Sequence, residues 1–324
     1  MPELEFHPFL RQWVIVAADR QERPFLPSAG SCPLCPTREG GPPTEVPLAS
    51  YDLAVFENRF PSLGGPPLAT PGAKESTGSS QPVRASGVCE VVCYTDRHEG
   101  CLADLPPRQA GKLVRVWRDR YESLAAREDV RYVFIFENRG VEIGVTLTHP
   151  HGQIYGYPFI PPVPLAELEA ERAHVQSTGG SLFGEWLAFE CEGQAKRRVW
   201  TDGTTVAVVP FFARYPFEVH VAPLEQRRSL AVLSEGEMDS LAEGLQSVAR
   251  AYDRLFDSPM PYVMSMHQEP ATPGYEHAWL HVEFTPIRRD AWKLKYLSGS
   301  ETGAGVFIAD MLPEDAAARL RAVI

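Results

Sequence analysis

The chain has 324 residues, enough for two domains or for one large duplicated domain. Its formal net charge of −11 argues against a nucleic-acid or membrane partner held by the overall field, although a local cluster of arginines could still bind a small phosphate ligand. Neither a run of about 18 apolar residues nor a signal-peptide pattern occurs, so we expect no membrane span and no export. The 6 cysteines are few for this length, and we expect a cytoplasmic protein.

The first chemical signal along the chain is a pair of cysteines at Cys-x-x-Cys spacing, Cys32 and Cys35. In a reducing cell this spacing indicates a metal site or redox chemistry before a disulfide. The other cysteines are expected to be small apolar residues of the core. They are Cys89, Cys93, Cys101 and Cys191.

Two stretches of the chain show the same order of predicted elements: two strands, an amphipathic helix, then two strands. The strands of the first stretch lie at residues 53–56, 90–94, 132–136 and 149–151, and those of the second at 206–210, 218–222, 262–266 and 279–284. We interpret this order as internal duplication rather than a coincidence of common patterns. The prediction is an α+β protein of two halves with antiparallel sheets, residues 1–178 and 179–324.

The helix of each stretch is predicted from apolar residues at three- to four-residue steps. In the first helix they are Leu113, Trp117, Tyr121 and Leu124, and in the second Met238, Leu241, Leu245, Val248, Tyr252 and Leu255. The second helix begins with a capping-box pattern from Ser234 to Glu237. Two segments predict irregular structure. More than half of residues 61–87 are Pro, Gly or Ser, which predicts a mobile excursion, and the prolines of residues 158–164 predict an extended segment.

The strongest signal is the motif His149-Pro150-His151-Gly152-Gln153. Residues two apart in a strand point to one face, so the two imidazoles and the amide are expected side by side. A neutral imidazole can attack phosphorus and form a phosphoramidate that a second substrate displaces. The amide can donate to a phosphoryl oxygen without offering a proton to water. The alternative, two ordinary structural histidines, explains neither the glycine nor the glutamine.

Over nearly its whole length the sequence resembles the galactose-1-phosphate uridylyltransferase family, a branch of the histidine-triad superfamily. Hydrolases of that superfamily carry His-x-His-x-His, and here the third position is Gln153. The resemblance implies two histidine-triad-like halves, with His151 as the nucleophile and Gln153 favouring transfer over hydrolysis. It also implies ping-pong transfer of UMP from UDP-glucose to galactose 1-phosphate, and a homodimer.

The resemblance further implies a set of residues that bind substrate. By position they are Arg20, Arg23, Asn58, Asn138, Thr146, Lys295 and Glu301. The two arginines would meet the phosphates of the nucleotide sugar. Arg59 stands where the family has an aspartate near the ribose. The segment after Glu301 departs from the family pattern. The sequence therefore indicates the transferred nucleotidyl group more clearly than the identity of the hexose.

Two metal sites are implied in the same way. The first comprises Cys32, Cys35, His98 and His149, a closed set of four ligands that suits a structural zinc ion. The second comprises Glu167, His267, His281 and Glu283 and suits an iron or zinc ion. Glu283 stands where the family has a third histidine, for which the nearby His277 could substitute. These residues could alternatively be polar groups that line the interface of the two halves.

Two other functions stay open from the sequence. An adenylyltransferase like ADP-glucose phosphorylase would share the His-Pro-His-Gly-Gln core and differ in its base and acceptor pockets. A non-catalytic sensor of nucleotide sugars could be built on the same fold, although a binding protein gains nothing from a nucleophile.

Overall fold

The computed structural model describes residues 2–18, 21, 26–64, 83–193 and 195–324. Its strands are β1 Glu3–His7, β2 Gln12–Val16, β3 Ala54–Glu57, β4 Val83–Arg84, β5 Val88–Cys93, β6 Tyr132–Arg139, β7 His151–Tyr157, β8 Arg198–Thr201, β9 Thr205–Val208, β10 Val219–Pro223, β11 Tyr262–His267 and β12 His281–Pro286. Its helices are α1 Pro107–Ala125, α2 Pro162–Thr178, α3 Leu182–Cys191, α4 Glu235–Leu255 and α5 Pro313–Arg321. Among the described residues, no helix combines the length and apolar character needed to cross a bilayer.

A single antiparallel sheet of nine strands runs through both halves in the order β3-β5-β7-β6-β11-β12-β10-β9-β8. The strands β6 and β11 pair at its centre, and the strands outward from them correspond in pairs: β7 to β12, β5 to β10 and β3 to β9. The predicted α+β fold of two duplicated antiparallel halves is therefore confirmed. Because one sheet joins the halves, the division between residues 178 and 179 stays a prediction.

The residue-by-residue match between the two halves is out of register by one position. Phe136 of β6 is the cross-strand partner of Gln153 on β7 and of Ser265 on β11. Cross-strand partners lie on the same face, so Ser265 shares the face of Phe136. Met264 and Met266 point to the opposite face and are buried in the core. Residues 132–136 and 262–266 therefore form corresponding strands, as predicted, but equal positions in the two ranges point to opposite faces of the sheet.

The predicted amphipathic helices α1 and α4 are confirmed, and they pack against each other and against the main core. Trp117 of α1 and Leu245 of α4 are each 1% exposed. The capping box of α4 is formed: the Ser234 hydroxyl accepts from the amide of Glu237, whose carboxylate accepts from the amide of Ser234.

Both predicted irregular segments differ in part from the structure. Residues 65–82 lie outside the described part of the chain, but Val83–Arg84 forms β4 on the edge of β1, and Leu63 and Ala85 are buried. The ends of the segment are therefore core structure, because apolar side chains flank its polar middle. The second segment is extended only up to Pro161: Pro162 begins α2, since a proline in the first helical turn loses no hydrogen bond.

Candidate active site and metal clusters

The His-Pro-His-Gly-Gln motif enters the sheet with His151 as the first residue of β7. The Nδ1 atom of His151 lies 2.7 Å from the carbonyl oxygen of His149. A carbonyl only accepts, so Nδ1 carries the proton and Nε2 of the neutral ring keeps its lone pair. Burial lowers the pKa of His151, which favours this neutral form, although the hydrogen bond to His149 opposes it. The ring is thus set up to attack through Nε2.

The side chain of Gln153 is oriented by two neighbours. Its Oε1 atom lies 3.2 Å from Nδ2 of Asn58 and 3.4 Å from the hydroxyl of Tyr155. Asn58 is itself fixed, because its Oδ1 accepts from the amide of Phe60 at 2.9 Å. With its oxygen engaged by donors, Gln153 presents its amide hydrogens to a ligand. Sequence reasoning gave Asn58 a direct contact to substrate, whereas the structure adds a positioning contact that spans 95 residues of chain.

Two cavities have His151 in their walls. The smaller, of about 340 Å³, is also lined by Asn58, Thr146 and Gln153, and the larger, of about 560 Å³, by Asn138. The structure therefore brings three of the predicted substrate-binding residues into cavities shared with His151. Both volumes fall within the range of roughly 300–1,000 Å³ typical of small-molecule sites.

Two further predicted substrate-binding residues, Lys295 and Glu301, are not brought to His151 within one chain. Lys295 and Glu301 form a buried ion pair with 3.1 Å between Nζ and Oε1, and neither lines the two cavities as described. The ammonium group of Lys295 lowers the pKa of Glu301 to about 2. Arg20 and Arg23 lie outside the described residues.

Gly152 separates the nucleophile from Gln153 and has no room for a side chain. A Cβ atom built on it would lie 2.3 Å from the hydroxyl oxygen of Tyr94 and 3.1 Å from the carbonyl oxygen of Phe136. Tyr94 is 1% exposed and packs edge-on against Trp117 of α1. The motif glycine is therefore required by packing beneath the strand.

The first predicted metal set is assembled from three segments of the chain, one of which supplies both cysteines. One ligand atom each from Cys32, Cys35, His98 and His149 lies within 4.8 Å of the others. The Sγ atom of Cys35 is 3.4 Å from Nδ1 of His98 and 3.6 Å from Nδ1 of His149. Two ligands of a tetrahedral zinc ion, at roughly 2.3 Å for sulfur and 2.0–2.1 Å for nitrogen, are separated by about 3.6 Å. The donor atoms therefore fit a zinc-sized ion.

The tautomer of His149 also fits a metal ion bound between these four side chains. Its Nε2 atom lies 2.8 Å from the carbonyl oxygen of Thr95, so Nε2 carries the proton and Nδ1 faces the cluster with its lone pair. Burial and the neighbouring Cys32 raise the pKa of Cys35 to about 11. A metal cation bound at the centre of the four ligands would stabilise the thiolate form of Cys35.

The second predicted metal set is also brought together, with ligand atoms of Glu167, His267, His281 and Glu283 within 4.8 Å of one another. Glu167 comes from α2, a helix that sequence reasoning did not predict. Its Oε2 lies 2.7 Å from Nδ1 of His267 and 3.8 Å from Nε2 of His281. His277 does not join the cluster, because its Nε2 lies 3.0 Å from the carbonyl oxygen of Leu168.

Sequence reasoning missed the two side chains that hold Glu283. Nη2 of Arg214 lies 2.7 Å from one carboxylate oxygen, and Nε2 of His220 lies 3.3 Å from the other. Burial raises the pKa of Glu283, but His220, His267 and Arg214 outweigh it and hold the pKa well below its usual range. The alternation of Glu218, Val219 and His220 at the entry to β10 was a visible signal of a polar strand face. The pairing of His220 with Glu283 required the sheet register.

Comparison with known proteins agrees with this geometry. Residues 1–161 match the model of the galactose-1-phosphate uridyl transferase N-terminal domain, and residues 167–324 match that of the C-terminal domain. The chain belongs to this family. The galactose-1-phosphate uridylyltransferase of Thermotoga maritima is 41% identical over 323 residues, which cover 99% of this chain and 98% of that protein. The sequence-based prediction of a galactose-1-phosphate uridylyltransferase family member is thereby confirmed.

Two solved structures resemble the fold of this family member. One, described as a uridylyltransferase, has a TM-score of 0.85 and 33% identity, and the match covers 99% of this chain and 98% of that chain. The other is an ADP-glucose phosphorylase from Arabidopsis thaliana with bound ADP-glucose, with a TM-score of 0.77, 23% identity and coverage of 100% and 99%. The second likeness supports the fold alone.

The packing under Gly152 generates a prediction. Gly152→Ala should destabilise the fold by roughly 1–3 kcal/mol, because the new methyl group overlaps the Tyr94 hydroxyl. Chemical denaturation measures this change. The double variant Gly152→Ala/Tyr94→Phe removes the overlapping oxygen and should recover part of the loss. Equal stability of the two variants would show that the Tyr94 hydroxyl is not the obstacle.

Proposed function

We propose that this protein transfers UMP from UDP-glucose to galactose 1-phosphate through a uridylyl-His151 intermediate. The products of the two half-reactions are glucose 1-phosphate and UDP-galactose. The proposal makes His151 the nucleophile, and Gln153, Asn138 and Thr146 the groups that bind the nucleotide sugar, with Asn58 holding Gln153. Family membership supports the choice of substrates.

The observation that carries the proposal is the state of His151. Its proton is held on Nδ1 by the carbonyl of His149, and its Nε2 lone pair belongs to a ring in the walls of both cavities. A phosphorus atom bound at Nε2 would have room for a nucleoside in one cavity and a sugar phosphate in the other. A nucleotide sensor would need neither a fixed tautomer nor a neutral imidazole.

In the first half-reaction, Nε2 of His151 attacks the α-phosphorus, an N–P bond forms, and the bond to the glucose 1-phosphate oxygen breaks. The amide hydrogens of Gln153 donate to the non-bridging oxygens as negative charge develops there. In the second, a phosphate oxygen of galactose 1-phosphate attacks the same phosphorus and the N–P bond breaks. The acceptor phosphate is already ionised, so no general base is needed.

The metal assignments are part of the proposal. We assign a structural zinc ion to Cys32, Cys35, His98 and His149, whose four donors leave no position for substrate. We assign an iron or zinc ion to Glu167, His267, His281 and Glu283, with Arg214 and His220 fixing the orientation of Glu283. The first ion would orient His149, and through its carbonyl the ring of His151.

We also propose a homodimer. The segment that carries Lys295 and Glu301 exposes several large apolar side chains; Trp292 is 93% exposed and Tyr296 71%. Apolar surface of this kind marks interaction sites. The same segment contributes nothing to the described cavities at His151 of its own chain. A second copy that covers this segment would bring Lys295 to the site of its neighbour.

The covalent intermediate and the donor substrate can be tested together. UDP-glucose labelled in its α-phosphate should give an acid-labile, base-stable adduct, and galactose 1-phosphate should discharge it as UDP-galactose. The His151→Gly variant should form no adduct. A parallel assay with ADP-glucose and inorganic phosphate tests the adenylyltransferase alternative; faster labelling by ADP-glucose would contradict the assignment to uridylyl transfer.

Gln153 tests the preference for transfer over hydrolysis. Gln153→His recreates the His-x-His-x-His row and supplies a proton donor, so transfer should fall and UMP release from UDP-glucose should rise. General acid catalysis of this kind contributes roughly 10²–10⁴-fold where geometry permits. Asn58→Ala is the matched control, since it loosens Gln153 without adding an acid and should lower transfer without raising hydrolysis. An unchanged ratio of transfer to hydrolysis in Gln153→His would contradict this role.

Zinc can be tested by removing one ligand. Cys32→Ser should lower the zinc content and the thermal stability, because a structural zinc ion contributes folding free energy. Cys191→Ser, at a half-buried cysteine away from the cluster, is the control and should keep its zinc. In cobalt-substituted enzyme, UDP-glucose should leave the metal spectrum unchanged. A strong shift would show that the metal binds substrate.

Shared sites can be tested by mixing inactive chains. We expect His151→Gly and Lys295→Met to be inactive separately and to regain activity when co-refolded, because one site of each mixed dimer combines an intact His151 with an intact Lys295. Light scattering should give twice the mass of one chain. A dimer without recovered activity would contradict the contribution of Lys295 across the interface.

A further inference from the structure

The smaller cavity at His151 contains a pair of opposite charges that the proposed reaction does not use. Glu45 and Arg59 both line it, and Nη1 of Arg59 lies 3.5 Å from Oε1 of Glu45. Among the described lining residues, Glu45 is the one carboxylate and Arg59 the one guanidinium. Most of the remaining wall is apolar, with Leu34, Phe56, Phe60, Val91 and Leu147.

The backbone on both sides of this pair is anchored to the site. The amide of Glu45 donates to the carbonyl of Pro33, which lies between the two cysteines of the first metal cluster, and the next residue, Val46, is 4% exposed. Arg59 directly follows Asn58, the residue that orients Gln153. The Glu45 side chain is 27% exposed and that of Arg59 72%, so the carboxylate lies deeper than its partner.

The chemistry of the wall indicates which part of a nucleotide it suits. A nucleotide with its phosphorus at His151 must place base and ribose in an adjoining cavity, and phenyl and aliphatic walls suit a base. A ribose brings two hydroxyl donors, and an ionised carboxylate is an acceptor that can satisfy them. Hydrogen bonds to an ionised acceptor are stronger than neutral ones, and acidic residues recognise the ribose 2′-hydroxyl in other nucleotide sites.

We propose that Glu45 is the ribose-recognising residue of this cavity, where its carboxylate accepts a hydrogen bond from the 2′-hydroxyl. Arg59 is a positioning residue that holds the carboxylate toward the cavity. The consequence is selection of ribonucleotide over deoxyribonucleotide sugars. This inference rests on the proposed function for what is bound at His151, and it adds a determinant of substrate choice.

The experiment compares the release of glucose 1-phosphate from UDP-glucose and from 2′-deoxy-UDP-glucose. The wild-type protein should prefer the ribose form by on the order of 10- to 100-fold in kcat/KM, the effect of one hydrogen bond to a charged group. Glu45→Ala should lose this factor for UDP-glucose, chiefly through KM, and leave the deoxy substrate unchanged. Glu45→Gln keeps a hydrogen-bond acceptor without the charge, so its kcat/KM for UDP-glucose should lie between those of the wild type and Glu45→Ala. Glu39→Ala, at an exposed glutamate outside the cavity, should behave as wild type.

Two outcomes would overturn the proposal. Retention of the full ribose preference by Glu45→Ala would exclude the carboxylate, and loss of the preference in Arg59→Met alongside that retention would assign the 2′-hydroxyl to the guanidinium. An equal fall for both substrates would show that Glu45 only supports the loop next to the metal cluster; zinc content then checks the cause.

Failure of the proposed function is distinguishable from these outcomes. If UDP-glucose forms no adduct on wild-type protein, the uridylyl-transfer proposal fails whatever Glu45 does. Calorimetric binding of UMP and 2′-deoxy-UMP to wild-type and Glu45→Ala protein measures ribose recognition without chemistry. Equal affinity of both nucleotides for the wild-type protein would then overturn the role of Glu45 on its own.

Discussion

The hydrogen bond between Nδ1 of His151 and the carbonyl of His149 is the contact on which the candidate site depends. It decides which nitrogen of His151 keeps a lone pair. The residue that supplies the carbonyl also contributes its ring to the Cys32/Cys35 cluster, and Thr95 holds that ring in the tautomer a metal requires. Backbone and side chain of His149 thus act in two sites at once. The geometry of the Cys32/Cys35 cluster and the tautomer of His151 are therefore linked within three residues of chain.

The corresponding strands β7 and β12 differ in the charge of the side chains that they present. β7 presents neutral groups, an imidazole with lowered pKa and an amide, to open cavities. β12 presents Glu283 to the guanidinium of Arg214 and the imidazole of His220, and Glu283 and His220 are both buried. A buried carboxylate is tolerated only when it is paired, and this pairing leaves it no role as a free nucleophile. Both halves therefore share the same strand frame, and in the proposed reaction only the first half carries the phosphorus chemistry.

The net charge of −11 is compatible with anionic substrates because charge acts locally in this site. Arg139 lines the larger cavity but is bound by both carboxylate oxygens of Asp253. In the smaller cavity, Arg59 forms an ion pair with Glu45. For the proposed substrates, the described walls therefore offer directed hydrogen bonds from amides and hydroxyls more than an excess of positive charge.

The sequence by itself determined what depends on neighbours along the chain. The strand motif put His151 beside Gln153, apolar periodicity located α1 and α4, and Ser234 with Glu237 formed the cap of α4, because each of these arises within a few residues. Family resemblance extended this to the ligand sets. The tertiary structure decided which distant residues meet: Asn58 with Gln153, Arg214 and His220 with Glu283, and Glu45 with Arg59. It also placed Lys295 away from the cavities at His151 of its own chain, and it directed the side chains of Met264 and Met266 toward the core. These outcomes follow from the pairing register of strands far apart in sequence, where a shift of one residue reverses the face of every side chain, and no local pattern specifies that register.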